Sequence, residues 1–190
     1  MKITSGKYKY RNIEVPRGIR PTTEKVREAV FSMIAPWIPG AMVFDMFAGS
    51  GAMGLEALSR GAEHCLFCEA SRANQKVLLS NIANCVAGES STVAGRDFKA
   101  AIAAAADMSL GSGEKAMFDI VIMDPPYEQT AYYGEGMELL QDYELLDEGS
   151  IVVCEHLYDN KLLESYGSLV KIKEKKYGSI GVDVYEYCKD

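Results

Sequence analysis

Apolar positions along the chain change their period several times, and those changes carry most of the fold. Over 22–37, TTEKVREAVFSMIAPW, residues Val26, Ala29, Val30, Met33 and Ile34 recur at helical spacing, with Glu24 in the first turn and Pro36 at the exit. That pattern predicts an amphipathic helix docked by one face. Short apolar runs then alternate with helical stretches. Strands are predicted over 41–47, 64–68, 91–95, 118–123 and 150–154, and helices over 51–60 (closed by Gly61), 72–84, 98–105 and 132–141. Alternation of this kind predicts a parallel sheet with helices on both faces. The end, KIKEKKYGSIGVDVYEY, has two strand-like runs around a Tyr177-Gly178 turn and no helix between them. It reads as a closing antiparallel hairpin, which brings the sheet to seven strands. The linker-like MSLGSGEKAM at 108–117 predicts a mobile loop, and no internal repeat is present.

Composition narrows the class. At 190 residues, 48% hydrophobic and 25% charged, the chain is large enough to bury an ordinary core. No run approaches the ~20 apolar residues of a membrane span, and the N-terminus lacks the apolar stretch of a signal peptide, so a cytoplasmic protein is expected. Five cysteines in irregular positions, Cys65, Cys68, Cys85, Cys154 and Cys188, disfavour a disulfide framework. The C-x-x-C of Cys65 and Cys68 lies in a strand-like run, with no second Cys or His pair at metal spacing. Core packing is its reading, and no metal is expected. His64 and His156, each beside a glutamate at a strand end, are expected on a solvated rim.

Charge is uneven. The chain carries −7 overall, yet residues 1–30 hold eight Lys or Arg against three acids, a net of +5, which leaves −12 on the remainder. Such asymmetry suggests a basic arm that faces a polyanion.

Two motifs carry candidate chemistry. The first strand runs into VFDMFAGSGAMGLEAL, where Gly49, Gly51 and Gly54 satisfy G-x-G-x-x-G between a strand and a helix, with Glu69 at the end of the next strand. Alone this would suggest a dinucleotide. Asp45, at the tip of the first strand, redirects it, because a carboxylate there repels a pyrophosphate but can hold the ammonium of an amino-acid moiety. S-adenosylmethionine is then the expected cofactor, with Glu69 accepting from its ribose hydroxyls. In GRDF, Asp97 could meet the adenine amine and Phe98 the adenine ring. Asp97 reads equally as a helix cap.

The second motif is Asp124-Pro125-Pro126-Tyr127, where FDIVIM runs into a carboxylate, two prolines and a ring. The prolines end the strand and stiffen the segment beyond Asp124. Ligands of parallel α/β sheets lie outside the carboxyl ends of the strands, so Asp124 is expected to face the cofactor's sulfonium. An exocyclic purine amine is a poor nucleophile because its lone pair is delocalised into the ring. Two acceptors, the Asp124 carboxylate and the Pro125 carbonyl, could bind its hydrogens and favour the pyramidal nitrogen that attacks in line. Tyr127 would stack on the base, which must be flipped or unpaired.

These stretches resemble a known family. DMFAGSGAMG and DPPY are similar to Rossmann-like amino-methyltransferases, and IRPTTEKVREAVFSMI resembles the opening helix of the RsmD family, with further likeness from KITSGKY to the final hairpin. The resemblance implies a Rossmann-like, S-adenosylmethionine-dependent methyltransferase domain over 21–190 behind a basic N-terminal arm over 1–20. The implied reaction is methylation of N2 of a guanine in bacterial 16S ribosomal RNA, on an assembled or assembling 30S subunit. By the same resemblance Asp45, Gly49, Gly51 and Glu69 are cofactor positions, and Asp124, Pro125 and Tyr127 hold the guanine; Phe47, Asp97 and Phe98 are expected at the cofactor as well. Lys7, Lys9, Arg11, Arg17, Arg20, Thr22, Arg27 and Pro126 are expected toward RNA, and for Arg20, Pro21, Thr22 and Arg27, which match the family's opening motif, closure over the cofactor is the alternative. Rival readings are an adenine-N6 DNA methyltransferase, for which the chain leaves no target-recognition region, a protein glutamine methyltransferase, which the basic arm disfavours, and a cofactor-binding regulator without catalysis, which both intact motifs disfavour.

Overall fold

Helix α1 (Glu24–Met33) starts where Thr23 caps it, its hydroxyl accepting from the Val26 amide at 3.3 Å. A short 3-10 turn over Ala35–Trp37 takes up Pro36. The chain then alternates through β1 (Met42–Asp45), α2 (Ala52–Ser59), β2 (His64–Cys68), α3 (Arg72–Asn84) and β3 (Ser91–Ala94). The computed structural model describes residues 1–18, 22–108 and 115–189, in two compact units, Met1–Asp97 and Phe98–Asp190. Ile19, Arg20, Pro21 and most of the 108–117 insertion lie outside the described residues.

In the first unit the strands run parallel in the order β3-β2-β1, with Phe44 level with Leu66 and Leu66 with Thr92. Val43, Phe44, Leu66 and Phe67 are fully buried. A strand covered on both faces needs a continuous apolar run and not an alternating one, and each such side chain contributes roughly 1.5–3 kcal/mol by leaving water. All of α2 is buried, Glu56 included.

That buried glutamate explains the N-terminus. Residues 1–13 fold back on themselves: the Ile3 amide donates to the Arg11 carbonyl, and Met1 and Ile13 exchange backbone hydrogen bonds. Ile3, Tyr8 and Ile13 are buried. Gly6, at φ +79°, lies so close to the Ser59 carbonyl that a Cβ would stand 1.8 Å from that oxygen. Glu56 accepts from the Thr4 amide (3.0 Å), the Thr4 hydroxyl (2.6 Å), the Ser5 amide (3.2 Å), Arg27 Nε (3.1 Å) and Arg60 Nε (2.9 Å). Arg27, expected toward RNA, is therefore misassigned. It is fully buried, paired to Glu56, and donates on to Met1 Sδ and the Lys2 carbonyl. A charge withdrawn from water needs that complete set of partners, and they commit Arg27 to holding the segment down.

The second unit comprises α4 (Phe98–Ala106), β4 (Ile120–Met123), α5 (Ala131–Asp142), β5 (Ile151–Leu157), β6 (Ser165–Tyr166), β7 (Leu169–Tyr177) and β8 (Ile180–Tyr187). Its strand order is β4-β5-β8-β7-β6, with β4 and β5 parallel and the rest antiparallel. The closing hairpin is thus present, turning at Gly178 with Tyr177 opposite Ile180. Eight strands are found among the described residues against seven expected, the addition being the two-residue β6. Strand β5 outruns its predicted end at residue 154 because Glu155 and His156, polar by sequence, are buried, at 5% and 1% exposure. His156 is therefore not on a rim. Its Nε2 lies 3.4 Å from Asp183 Oδ2, and Lys171 Nζ lies 3.0 Å from the same oxygen. Burial works against charge on this histidine, but Asp183 and the Leu157 carbonyl, 2.8 Å from Nδ1, together outweigh it and hold the imidazole above its ordinary pKa.

Candidate functional site

Asp45 ends β1 and is 3% exposed, with Oδ2 accepting from the Gly54 amide of α2 at 3.0 Å. Burial pushes its pKa up to about 7, the Gly54 hydrogen bond working against that rise and the charge of Glu69 adding to it. A carboxylate so placed attracts any cation that reaches it. Between β1 and α2 the chain turns through Gly51 at φ +79°, where a Cβ would sit 2.4 Å from Leu78 Cδ1. Only glycine takes this conformation and this spacing without strain.

Glu69, half-buried just past β2, accepts from the Gly49 amide (3.0 Å) and the Ser71 amide (2.7 Å). It braces the glycine loop, and its further lone pairs can still accept from hydroxyls. Asp45, Gly49, Gly51 and Glu69 are thus brought together as one cluster in the first unit. Phe47 is half-buried beside them in sequence, and Asp97 is exposed beyond β3. Cys65 and Cys68 are buried in β2, and burial pushes the Cys68 thiol up to about 12. A thiol this far from ionising packs and does not attack.

In the second unit Asp124 follows β4 directly and is half-buried, Pro125 is buried, Pro126 exposed and Tyr127 half-buried. The Tyr127 hydroxyl donates to Glu155 Oε1 at 3.5 Å, and the Tyr133 hydroxyl of α5 donates to the Glu155 carbonyl at 2.6 Å. The arrangement fixes a carboxylate, a proline carbonyl and an aromatic ring at one strand end. Phe98, expected against an adenine, is 5% exposed and packs on Tyr132 with ring centroids 4.8 Å apart.

Among the residues expected toward RNA, Lys7, Lys9, Arg11 and Arg17 are exposed, Thr22 is half-buried, and Arg20 is outside the described residues. Arg11 is tethered, its Nη1 donating to the Asn84 carbonyl at 2.9 Å. Two further residues stand out only in the folded chain. One is Glu155, whose signal is an acid inside the apolar run IVVCEHL. The other is Tyr10, 69% exposed at φ +71° with Lys9 Nζ 4.9 Å from its ring centre. The alternation of cations and rings in Lys7-Tyr8-Lys9-Tyr10-Arg11 is the signal there.

Comparison with known proteins adds the lineage. The family model described as Conserved hypothetical protein 95 matches residues 1–186. Ribosomal RNA small subunit methyltransferase D of Escherichia coli strain K12 is 32% identical over 188 residues, which span 98% of this chain and 89% of that protein. The chain belongs to this RsmD family. Membership makes it a methyltransferase. An Escherichia coli member solved as the candidate methyltransferase yhhF superposes with a TM-score of 0.84 at 32% identity, covering 100% of this chain and 99% of that one. An RNA methyltransferase from Salinibacter ruber, solved with S-adenosyl-L-homocysteine, has a TM-score of 0.64 at 12% identity, covering 90% of this chain and 95% of that one. The latter likeness is one of fold.

Proposed function

We propose that this RsmD-family protein transfers a methyl group from S-adenosylmethionine to the exocyclic N2 amine of a guanine in 16S ribosomal RNA, in the cytoplasm and on an assembled or assembling small subunit. The observation that carries the reading is Asp124-Pro125-Pro126-Tyr127 fixed at the end of β4, in a chain whose first unit holds the Asp45–glycine–Glu69 cluster. That cluster fits the cofactor in three ways: a buried carboxylate for an ammonium, a loop open to close approach, and an acceptor for ribose hydroxyls. The name of the Escherichia coli relative, a ribosomal RNA small subunit methyltransferase, supports the coarser part of this reading, methylation of small-subunit ribosomal RNA.

When bound, S-adenosylmethionine supplies an electrophilic methyl on a sulfonium. Everything else falls to the chain. Asp124 and the Pro125 carbonyl accept the two N2 hydrogens, which draws the nitrogen lone pair out of conjugation with the ring and aims it. As the N–C bond forms the nitrogen becomes cationic, and Asp124 stabilises that charge before one proton leaves to the carboxylate or to water. Tyr127 supplies a stacking face that holds the flipped base. The exposed cations of residues 7–17 supply the contact with RNA phosphates.

Mass spectrometry of ribosomal RNA nucleosides from cells with and without the protein tests the reading. N2-methylguanosine should fall when the protein is removed, and an unchanged level would refute the assignment. Asp124→Ala should lower turnover on the order of 10²–10³-fold while leaving cofactor affinity intact. Near-normal turnover in that variant would show that the amine is activated by some other group.

A further inference from the structure

The second unit is strongly acidic, and its cations are gathered in one place. Residues 98–190 hold eighteen acids against eight lysines and no arginine, yet five of those lysines, Lys161, Lys171, Lys173, Lys175 and Lys176, fall between 161 and 176. Lys171 is committed to Asp183 inside the sheet, whereas Lys161, Lys175 and Lys176 are exposed. Two of the exposed cations converge on one ring. Tyr158, the first residue past β5, has Lys161 Nζ 3.5 Å and Lys176 Nζ 4.1 Å from its ring centre. Gly181 is level with His156 of β5 and with Lys176 of β7, so the ring and the hairpin turn share the carboxyl end of β5. Strand β4 runs parallel to β5, and Asp-Pro-Pro-Tyr leaves β4 at that same end of the sheet.

Like charges drawn together repel, and carboxylates relieve this pair on one side only. Lys161 meets Glu174 Oε1 at 2.5 Å. Lys176 forms no ion pair among the described residues and rests on the ring face. A cation held by a ring keeps its N–H donors for an anion. Guarding an open strand edge would account for lysines on β7, whose outer edge pairs with no strand beyond Val170 among the described residues. It does not account for Lys161, which reaches the same ring from the connection between β5 and β6. Neighbouring cations on a fixed aromatic support match a chain of phosphates. We infer that Tyr158, Lys161 and Lys176 form a second RNA contact, which grips phosphates flanking the target base. The inference rests on the RNA-methylating reading above and deepens it. Extruding a base sacrifices its stacking and pairing, and a backbone grip at the sheet end that carries the base-holding tetrapeptide offsets that loss.

The test titrates Lys161→Ala, Lys176→Ala and the double variant with naked 16S RNA across a series of salt concentrations. Lys189→Ala is the control for net charge, since it removes an exposed cation, paired to Asp147, from the same unit. Each of the first two should weaken binding and flatten the log–log salt slope by roughly 0.7–0.9, and the double variant by twice that. Lys189→Ala should keep the wild-type slope. On assembled small subunits the double variant should lower kcat/KM, while calorimetry shows unchanged S-adenosylmethionine affinity. An unchanged slope in the double variant, or a loss that Lys189→Ala reproduces, would overturn the inference alone. So would variants that aggregate with RNA binding intact, since the lysines would then guard the edge of β7. Normal binding to naked RNA with a loss confined to the assembled subunit would give the patch to a ribosomal protein and overturn it too. Failure of the wild-type protein to bind or methylate small-subunit RNA would overturn it together with the reading on which it rests.

Discussion

Glu56 and Asp45 are both carboxylates of the first unit withdrawn from water, at 0% and 3% exposure, and they are treated in opposite ways. Glu56 is saturated, with two arginines, two backbone amides and a hydroxyl all donating to it. Asp45 holds the Gly54 amide, and burial carries its pKa up to about 7. Saturation marks a charge that belongs to the structure. A buried carboxylate that the protein leaves costly to ionise is one that a cationic ligand would complete, and the ammonium of an amino-acid moiety is such a ligand.

The sharpest way to break this contrast is to remove Glu56. Glu56→Ala strands Arg27, itself fully buried, without its counter-charge. Loss of one partner of a buried pair costs about 3–5 kcal/mol, and urea denaturation at neutral pH should show it. A loss under about 1 kcal/mol would mean that the N-terminal segment is not docked in solution as it is here. The same network changes what a truncation means. Deleting residues 1–18 would remove Thr4, Ser5 and the Lys2 carbonyl that Arg27 uses, so it would lower stability as well as any RNA contact.

Asp45 should behave in the opposite sense. Its folded pKa of about 7 stands above the ordinary 3.8. The group therefore favours the fold fully at low pH, and that contribution is lost as pH rises through about 7. A rise of that size corresponds to about 4 kcal/mol at most. Asp45→Asn should flatten this slope, leaving the cofactor-free protein as stable as wild type at pH 8 or more so. The proposed ammonium partner favours ionised Asp45, so wild-type affinity for S-adenosylmethionine should climb between about pH 6 and 7.5, across the folded pKa. In Asp45→Asn the climb should vanish and affinity should fall by about 10- to 100-fold, the worth of a hydrogen bond to a charged group. Calorimetry across that range decides it, and unchanged affinity in the variant would remove Asp45 from the cofactor site.

Which of these features the sequence discloses depends on where each partner lies. Strand β2 and helix α3 fall on their predicted bounds because their signals are local: an unbroken apolar run in one, Ser71 capping the Asn74 amide in the other. The glycine loop and the Asp-Pro-Pro-Tyr tetrapeptide are legible for the same reason, each being a contiguous motif after a strand. Arg27 is not, since its counter-charge Glu56 lies 29 residues away on another helix. His156 is hidden likewise, because Asp183 reaches it from a later strand, and Lys171 reaches that same carboxylate from another. Hydropathy treats a lone Glu, His or Arg as solvent-facing, and only the folded chain shows that a distant opposite charge has made its burial tolerable.

The smallest expected effect is the one that says what the Glu56 network is for. By stapling residues 4 and 5 to α2 it fixes the segment that carries Lys7, Lys9 and Tyr10, and Tyr10 stands 69% exposed on it. A non-glycine residue at φ +71° is held there against its own preference, which costs about 1 kcal/mol or more. Such strain is sustained only when the surroundings over-determine the turn. An exposed ring flanked by cations is a stacking platform for an unpaired base, worth roughly 1–3 kcal/mol by alanine substitution. Tyr10→Ala should therefore weaken binding to small-subunit RNA by about that amount, with little change in its salt dependence, since no phosphate contact is lost. Lys9→Ala should do the converse, flattening the log–log salt slope by roughly 0.7–0.9. Both variants should keep the urea midpoint and the cofactor affinity of wild type. If Tyr10→Ala binds RNA as wild type does, the rigid display has some other purpose. If it lowers the urea midpoint instead, the ring belongs with Glu56 among the groups that hold the segment down.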